Sequence, residues 1–254
     1  METIATHFTW RVIGLEACRA RENMAVDEAI AAGIAAGTSL PTIRFYTWKP
    51  GAVSIGYFQR LHDEVNVEAC TAKGFDVVRR RTGGGAVYHD EHGEITYSVI
   101  APEDCFSKDI RASYREICSA IIAGLASLGI AAEFRPINDV TVGGRKISGS
   151  AQTRRQGVLT QHGTVLYRID RETMFSVLRP SAKKLADKPF DSFNASVTCA
   201  SEEGCESIDR LYEALLAGFT GGKRWKYGQL HDKEMAAVTK LVHKYQSEEW
   251  NYSR

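Results

Sequence analysis

The sequence predicts an α+β fold in which mixed β-sheets are flanked by helices. Three observations carry this prediction: a helical pattern near the N-terminus, a middle region rich in strand-like segments, and a helical C-terminal part. Helices and strands do not alternate regularly, as they would in a doubly wound α/β sheet. With 254 residues, 44% of them hydrophobic and 25% charged, the chain has the composition of a globular protein, and we expect residues 1–254 to form a single domain.

Apolar spacing and turn residues place the predicted elements along the chain. Apolar residues spaced by three and four predict a first helix over 23–36 and the longest helix over 107–128. The predicted strands are 42–48, 52–58, 75–81, 94–101, 131–134, 140–143, 146–152 and 158–167. The remaining predicted helices are 65–73, 171–178, 207–219 and 231–245, and the segment 179–201 is predicted to be a loop.

Charge and composition disfavour several classes of protein. The formal net charge of +1 provides no global field that would attract nucleic acid or an anionic membrane. No apolar run approaches the roughly 18 residues that a membrane span needs, and residues 1–10 do not resemble a secretory signal. The six cysteines form no CxxC pair, so we expect reduced, mostly structural thiols and a cytoplasmic location.

The most distinctive motif runs from Arg79 to Asp90 and contains the triple glycine Gly83, Gly84 and Gly85. Glycine reaches positive φ without steric cost, so such a loop can turn its N–H groups toward an anion. The arginines that precede it carry a planar fork suited to phosphate or carboxylate. The motif therefore predicts an anion-binding loop, and a hairpin turn with solvated arginines is the simpler alternative.

A second motif, residues 138–152, predicts a β-hairpin with Gly143 and Gly144 at its tip. Lys146 begins the second strand, which continues with small residues that leave room for a ligand. A lysine at the rim of such a groove can bind a carboxylate or phosphate, although solvated turn charges are a simpler interpretation. His162 beside Gly163 and the aromatic Tyr57 are weaker candidates, since both types of side chain often pack in a core.

Together these motifs resemble the lipoate–protein ligase family, within the larger group that also contains biotin ligases and octanoyltransferases. The resemblance spans almost the whole chain, and its most specific parts are GGGAVYHD and NDVTVGGRKISGSAQ. It implies a biotin/lipoate ligase-like catalytic domain and an ATP-dependent activity with Mg²⁺, in which lipoate is converted to lipoyl-AMP and passed to a lysine of a carrier domain. Ligases of this family often carry a further small C-terminal domain, which we expect to be absent from this chain.

The resemblance also assigns roles to individual residues. Lys146 would be catalytic and Asp139 would hold the metal ion. The nucleotide and the adenylate would be bound by Arg80, Gly83, Gly84, Gly85, Ala86, Val87, Tyr88, Asn138 and Lys146. The acyl substrate or the incoming lysine would be bound by Tyr57, His89, Gly149 and His162.

Two other functions remain open from the sequence. Octanoyltransferases of this fold, which act between carrier proteins, use a cysteine nucleophile shortly before the GRK segment or in a later Pro-Cys-Gly run. Here no cysteine occurs between Cys118 and Cys199, which favours the ligase. A non-catalytic binding module that uses Arg79 to Arg81 is the third possibility. A biotin ligase is disfavoured because its usual GRGRxGR segment is missing.

The expected partner is a lipoyl carrier domain, either in a dehydrogenase-complex acyltransferase subunit or in a glycine-cleavage H-type protein. The last residues, 246–254, mix Trp250 and Tyr252 with charged groups, a composition found at protein interfaces, and we expect a separate small accessory ligase subunit that docks near the active site. The simpler alternative is that Trp250 packs back on its own domain. We expect neither nucleic acid nor membrane as a partner.

Overall fold

The computed structural model describes residues 8–179 and 196–253. The N-terminal segment 1–7 and most of the predicted loop over 179–201 lie outside the described residues, as does Arg254. The α+β class with mixed sheets flanked by helices is confirmed.

Two sheets organise the fold. The eight-stranded sheet has the order β11-β1-β2-β6-β10-β9-β8-β7, and the three-stranded sheet has the order β4-β3-β5. Strand β1 runs parallel to both β2 and β11, whereas the other pairs of the large sheet are antiparallel. The strands are β1 Thr9–Cys18, β2 Thr42–Trp48, β3 Ala52–Ile55, β4 Asp76–Arg79, β5 Val87–His89, β6 Glu94–Pro102, β7 Ala132–Arg135, β8 Asp139–Val142, β9 Arg145–Arg155, β10 Val158–Leu166 and β11 Arg224–Tyr227.

Helices cover both faces of the large sheet. Two helices, α4 and α6, share one core with it, while α1, α7 and the small sheet lie on the opposite face. The helices are α1 Ala20–Ala35, α2 Leu61–Glu64, α3 Val67–Ala72, α4 Ile110–Ser127, α5 Arg171–Val177, α6 Ile208–Thr220, α7 Asp232–Gln246 and α8 Glu248–Asn251. Among these described residues no helix is both long and apolar enough to cross a membrane.

The predicted stripe on the longest helix is largely correct. Ile117, Ile121 and Leu125 on α4 are buried against Trp10 and Phe45 of the large sheet. Side chains on a strand alternate between faces, so the strands that contribute to this core present their other residues to the opposite face. That second face carries buried polar side chains, among them Arg44, Ser98 and His162, beside apolar clusters, and it holds the candidate site described below.

Several predicted boundaries were wrong for identifiable reasons. Strand β1 was missed because Gly14 and a β-bulge after Ile13 interrupt its alternation. Strand β11 was missed because it is mostly charged and aromatic. The predicted strand 52–58 ends at Ile55, since Gly56 begins a tight turn. The predicted helix 65–73 is confirmed as α3, Val67–Ala72, and the short helix α2 that precedes it was missed.

The C-terminal helix α8 is anchored on the small sheet by the buried Arg79. The guanidinium of Arg79 donates to the carbonyl oxygens of Trp250 and Asn251 at 3.1 and 2.9 Å, and to those of Tyr57 and Gln59 at 3.1 and 2.6 Å. In return the Trp250 indole donates to the Arg79 carbonyl oxygen at 2.8 Å. Trp250 therefore packs on its own domain, which removes the indole from the surface proposed for an accessory subunit.

A second anchor joins α7 to strand β1 of the large sheet. Arg11 on β1 binds Glu234 on α7 through two hydrogen bonds of 2.6 Å, and Glu234 is 1% exposed. Burial would raise the pKa of Glu234, but hydrogen bonds from Arg11 and Ser39 outweigh it and the pKa is lowered. The stability that this carboxylate contributes is therefore present at neutral pH and lost as the pH falls through its lowered pKa.

We predict that Glu234→Gln lowers the free energy of unfolding at pH 7 by about 3–5 kcal/mol, because it leaves the Arg11 charge buried and unpaired. The difference from the wild type should shrink in acid, below the ordinary carboxyl pKa of about 4.3. Urea unfolding at pH 7 and at acidic pH measures both effects, with the exposed Glu249→Gln as control. Equal unfolding free energies at pH 7 would contradict the assigned role.

Candidate active site

The triple-glycine loop connects β4 to β5 and lies against the turn that follows β3. Gly84 has φ of +95°, a conformation that side-chain-bearing residues rarely adopt. A Cβ on Gly56 would lie 2.1 Å from the Gly84 carbonyl oxygen, so this close approach requires glycine. The Tyr57 N–H also donates to the Thr82 carbonyl oxygen at 2.8 Å, which fixes the start of the loop.

Arg80 holds the glycine loop from inside the protein. Its guanidinium donates to the carbonyl oxygens of Gly83 and Gly85 at 2.9 and 2.7 Å, and to Ser54 Oγ at 3.1 Å. Burial lowers the Arg80 pKa to about 10. Within the described residues no carboxylate forms an ion pair with Arg80. The hydrogen bonds of Arg80 in this structure hold the glycine loop. A contact between Arg80 and a bound nucleotide stays a prediction.

His89 lies in a buried chain behind Arg80. Its Nε2 is 2.7 Å from Ser54 Oγ, its Nδ1 is 2.7 Å from Glu94 Oε1, and its ring stacks on Trp48 at 3.9 Å between centroids. Both ring nitrogens are thus engaged by the protein. These hydrogen bonds from Glu94 through His89 hold Ser54 in place and, through Ser54, the guanidinium of Arg80.

Lys146 and Asp139 come together at the hairpin, as the two ends of an ion pair. Lys146 Nζ lies 2.7 Å from Asp139 Oδ1, and Arg135 Nη2 lies 3.0 Å from Asp139 Oδ2. A Cβ on Gly149 would meet Lys146 Nζ at 2.5 Å, so glycine makes room for the lysine head. The lysine side chain is 39% exposed, which leaves its charge available to a ligand.

Asn138 and Asp139 are occupied by contacts other than those predicted for them. The Asn138 amide donates to the Ser150 carbonyl oxygen, and the Ser150 N–H donates back to the Asn138 carbonyl oxygen at 3.0 Å. Asp139 has cationic partners. Within residues 8–179 and 196–253 no group of three or more His, Cys, Asp or Glu side chains is arranged to hold a metal ion. The assignment of Mg²⁺ to Asp139 stays a prediction.

A polar row crosses the large sheet next to Lys146. Ala151, His162, Ser98 and Arg44 are successive cross-strand partners, so their side chains point to the same face. Gly149 lies two positions from Ala151, about 6.6 Å along the strand. The lysine head and the imidazole of His162 therefore belong to one surface.

His162 connects this row to the glycine loop and to α1. Its Nε2 is 2.7 Å from Thr82 Oγ1, and its Nδ1 is 3.5 Å from Asp27 Oδ2 without a hydrogen-bond partner. Asp27 also pairs with Arg44 at 3.0 Å and accepts a hydrogen bond from Ser98. Burial would raise the Asp27 pKa, but His162 and Arg44 lower it, whereas burial lowers the pKa of His162. The pair is therefore a carboxylate beside a neutral imidazole at neutral pH.

These side chains line a cavity of about 420 Å³, within the range of roughly 300–1,000 Å³ typical of ligand pockets. Asp27, Thr82 and His162 line it together with Thr160. Arg81, which pairs with Glu28 at 3.3 Å, also contributes to its wall. Lys146 and His89 do not line this cavity.

Most of the predicted residues thus lie in one region of the structure, but they do not all line the same cavity. Lys146, Gly149 and His162 share a face, and the segment from Gly83 to Tyr88 lies above it in the loop and β5. Tyr57 packs edge-on against Phe58 and near Trp250, with the Arg155 guanidinium 5.0 Å from its ring. Sequence reasoning missed Thr82 and Asp27. Thr82 adjoins the triple glycine, but Asp27 gave no signal, because it lies in an ordinary helical pattern.

Cys118 is placed away from this surface, whereas Cys18, at the end of β1, pairs in register with Trp48 and lies near Arg44 on the polar face. Cys118, on α4, is fully buried on the other face of the sheet, 3.7 Å from Ser150 Oγ. Burial raises its pKa to about 11, opposite to what an activated nucleophile needs. Four further cysteines are buried, and only Cys18 is partly exposed.

Comparison with known proteins places the chain in a family. The catalytic-domain model of lipoyl protein ligase A/B matches residues 19–220. The chain is 38% identical, over 97% of its length, to octanoyltransferase LipM of Kyrpidia tusciae, and 35% identical, over 96%, to octanoyltransferase LipM of Brevibacillus brevis. Each match covers 99% of the relative.

Solved structures show the same fold. A chain from the bi-partite lipoate protein ligase and E2 lipoyl domain system of Thermoplasma acidophilum is 32% identical, with a TM-score of 0.85 and 97% coverage of both chains.

The names of the curated relatives correct the functional prediction. These relatives are named octanoyltransferases, and the similarity covers nearly the whole length of each. The expectation of an ATP-dependent lipoate–protein ligase that forms lipoyl-AMP is therefore wrong as the main activity. The transferase alternative is favoured instead. Together, the match over residues 19–220 and the shared fold show that this chain belongs to the lipoyl protein ligase A/B catalytic domain family.

Proposed function

We propose that this protein is an octanoyltransferase that moves an octanoyl group from a carrier-protein thioester to a lysine of a lipoyl carrier domain. The observation that carries the proposal is the 34–38% identity to octanoyltransferases over nearly the whole of both chains. Identity to the lipoate ligase structures is lower, at 30–32%. The carrier could belong to an acyltransferase subunit or to an H-type protein, and both fit the chemistry.

The site geometry supports acyl transfer. When an amine attacks a thioester carbonyl, negative charge develops on the carbonyl oxygen, and a preorganised cation stabilises it. Lys146 is such a cation, because Asp139 fixes its head in the space that the missing side chain of Gly149 provides. The neighbouring cavity is large enough to take part of an acyl substrate.

The reaction balances without any oxidant or nucleotide. A bond forms between the acceptor nitrogen and the acyl carbon, the carbon–sulfur bond breaks, and the proton lost by nitrogen ends on the departing thiol. The proposal therefore does not use the predicted ATP and Mg²⁺ or the accessory subunit. A cytoplasmic location stays a prediction.

Mass spectrometry of a lipoyl domain incubated with this protein and an octanoyl-carrier thioester tests the function. We expect octanoylation of one lysine without ATP. If transfer occurs only from free octanoate or lipoate with ATP and Mg²⁺, the proposed function is wrong. An active-site variant, Lys146→Ala, serves as the negative control.

We predict that Lys146→Ala lowers kcat for octanoyl transfer by about 10²–10³-fold, the typical cost of losing one oxyanion-stabilising contact. The thermal unfolding of this variant should change little, because the lysine side chain is 39% exposed and its ion pair with Asp139 is partly open to solvent. The comparison variant is Arg145→Ala, which removes the adjacent cation paired with Glu203. Equal losses in both variants would show a general charge effect instead.

We also predict that Cys118→Ala retains transfer activity within about threefold, since the thiol is buried on the opposite face and its pKa is raised. Intact mass measurement after incubation with the thioester donor should show no octanoyl adduct on the enzyme. An adduct on Cys118, together with loss of activity in the variant, would establish a covalent route and contradict this prediction.

A further inference from the structure

Amide formation requires a group that removes a proton from the attacking nitrogen. A lysine side chain has an ordinary pKa of about 10.4, and the nitrogen becomes more acidic only after it bonds to the acyl carbon. A positioned base contributes about 10²–10⁴-fold to such a step. Lys146 is suited to stabilising an oxyanion, and its head is held in an ion pair with Asp139, so another group must take the proton.

Two buried histidines have the necessary partners, but only one of them faces the cavity. His89 bridges Ser54 and Glu94, yet Ser54 Oγ also accepts a hydrogen bond from Arg80 at 3.1 Å. The Arg80 guanidinium therefore blocks the passage of a proton from a ligand to Ser54. Ser54, His89 and Glu94 also do not line the cavity. His162, by contrast, lines the cavity together with both of its partners.

The geometry points to Thr82, His162 and Asp27 as a proton relay that accepts the proton of the acceptor amine. This inference rests on the proposed function and adds a base to it. The hydroxyl of Thr82 takes the proton from nitrogen while passing its own to His162 Nε2, 2.7 Å away. Asp27 stabilises the imidazolium that forms, and the imidazolium then returns the proton to the departing thiolate sulfur.

The state of each group suits this task. The orphaned Nδ1 of His162 lies 3.5 Å from Asp27 Oδ2, a separation that a small movement on ligand binding would close. Such an arrangement, hydroxyl to imidazole to carboxylate, defines the roles of a hydrolase triad. Here the hydroxyl passes a proton, and Asp27 is a positioning residue that acts through His162.

The charges around His162 favour a neutral ring that can accept a proton. Asp27 on α1 faces it from one side, and Arg80 and His89 face it from the small sheet. Arg44 on β2 binds Asp27 behind it. Burial, Arg80 and His89 lower the His162 pKa and Asp27 opposes them, so the base form persists at neutral pH and is lost in acid.

The first test compares Thr82→Val and His162→Gln with the wild type in transfer to a lipoyl-domain lysine. We expect kcat to fall by about 10²–10⁴-fold in both, with little change in the KM of the donor. Thr82→Ser, which keeps the hydroxyl, should restore most of the rate lost in Thr82→Val. The exposed His92→Gln serves as a matched histidine control. Wild-type rates in Thr82→Val would overturn the relay.

A second readout separates a base from a structural group. Hydroxylamine is unprotonated at neutral pH, so its attack depends less on a base than the attack of lysine does. In the same variants, the rate of octanoyl hydroxamate formation should therefore fall far less than the rate of lysine acylation. Imidazole added to His162→Gly should restore part of the lysine activity. Equal losses with both acceptors, or no rescue, would show that these residues only shape the cavity.

The choice of donor distinguishes failure of this inference from failure of the proposed function. Each variant is assayed with an octanoyl-carrier thioester and with synthetic octanoyl adenylate, since both require the same amine deprotonation. If the wild-type protein uses only the adenylate, carrier-to-carrier transfer is refuted. The variants can then still be compared with the adenylate as donor, which tests the relay. Thermal unfolding of every variant identifies any that fail to fold, and the isosteric Thr82→Val then decides the question.

Discussion

The ion pair between Arg44 and Asp27 is the interaction on which the site depends. Both side chains are almost fully buried, and their charged atoms lie 3.0 Å apart. Removing two charges from water is costly, and loss of one partner from such a pair typically destabilises a protein by about 3–5 kcal/mol. The cost is offset by further hydrogen bonds: Arg44 also donates to Asn23, and Asp27 accepts from Ser98. The first helix is thereby fixed on the polar face of the sheet, and the carboxylate is fixed beside His162.

The consecutive arginines of the glycine motif have different functions because neighbouring residues in extended backbone point in opposite directions. Arg79 turns toward the C-terminal helix and the turn after β3. Arg80 turns inward and holds the carbonyl oxygens of the glycine loop. Both guanidinium groups bind mainly backbone oxygens, so they set the shape of the loop.

Local motifs do not determine whether a member of this family is a ligase or an octanoyltransferase. The lack of a cysteine near the GRK segment favoured a ligase, and whole-chain identity to octanoyltransferases overturned that expectation. Cys118, the last cysteine before the GRK segment, is buried on the apolar side of the sheet, which agrees with a reaction that does not use its thiol. Direct attack by the acceptor amine is compatible with the residues that remain on the polar side.

The sequence by itself determined the fold class, most strands and the longest helices, because apolar periodicity and glycine turns act locally along the chain. It also indicated that Lys146, Gly149 and the glycine loop belong to one site, through their resemblance to a family. Only the tertiary structure decided what each polar group contacts. Asp27 and His162 are 135 positions apart and meet because α1 packs over β10. Likewise hairpin pairing brings Lys146 to the carboxylate of Asp139, a contact that the sequence did not indicate. Such contacts depend on the register of distant strands and the docking of helices, which residue patterns within one segment do not specify.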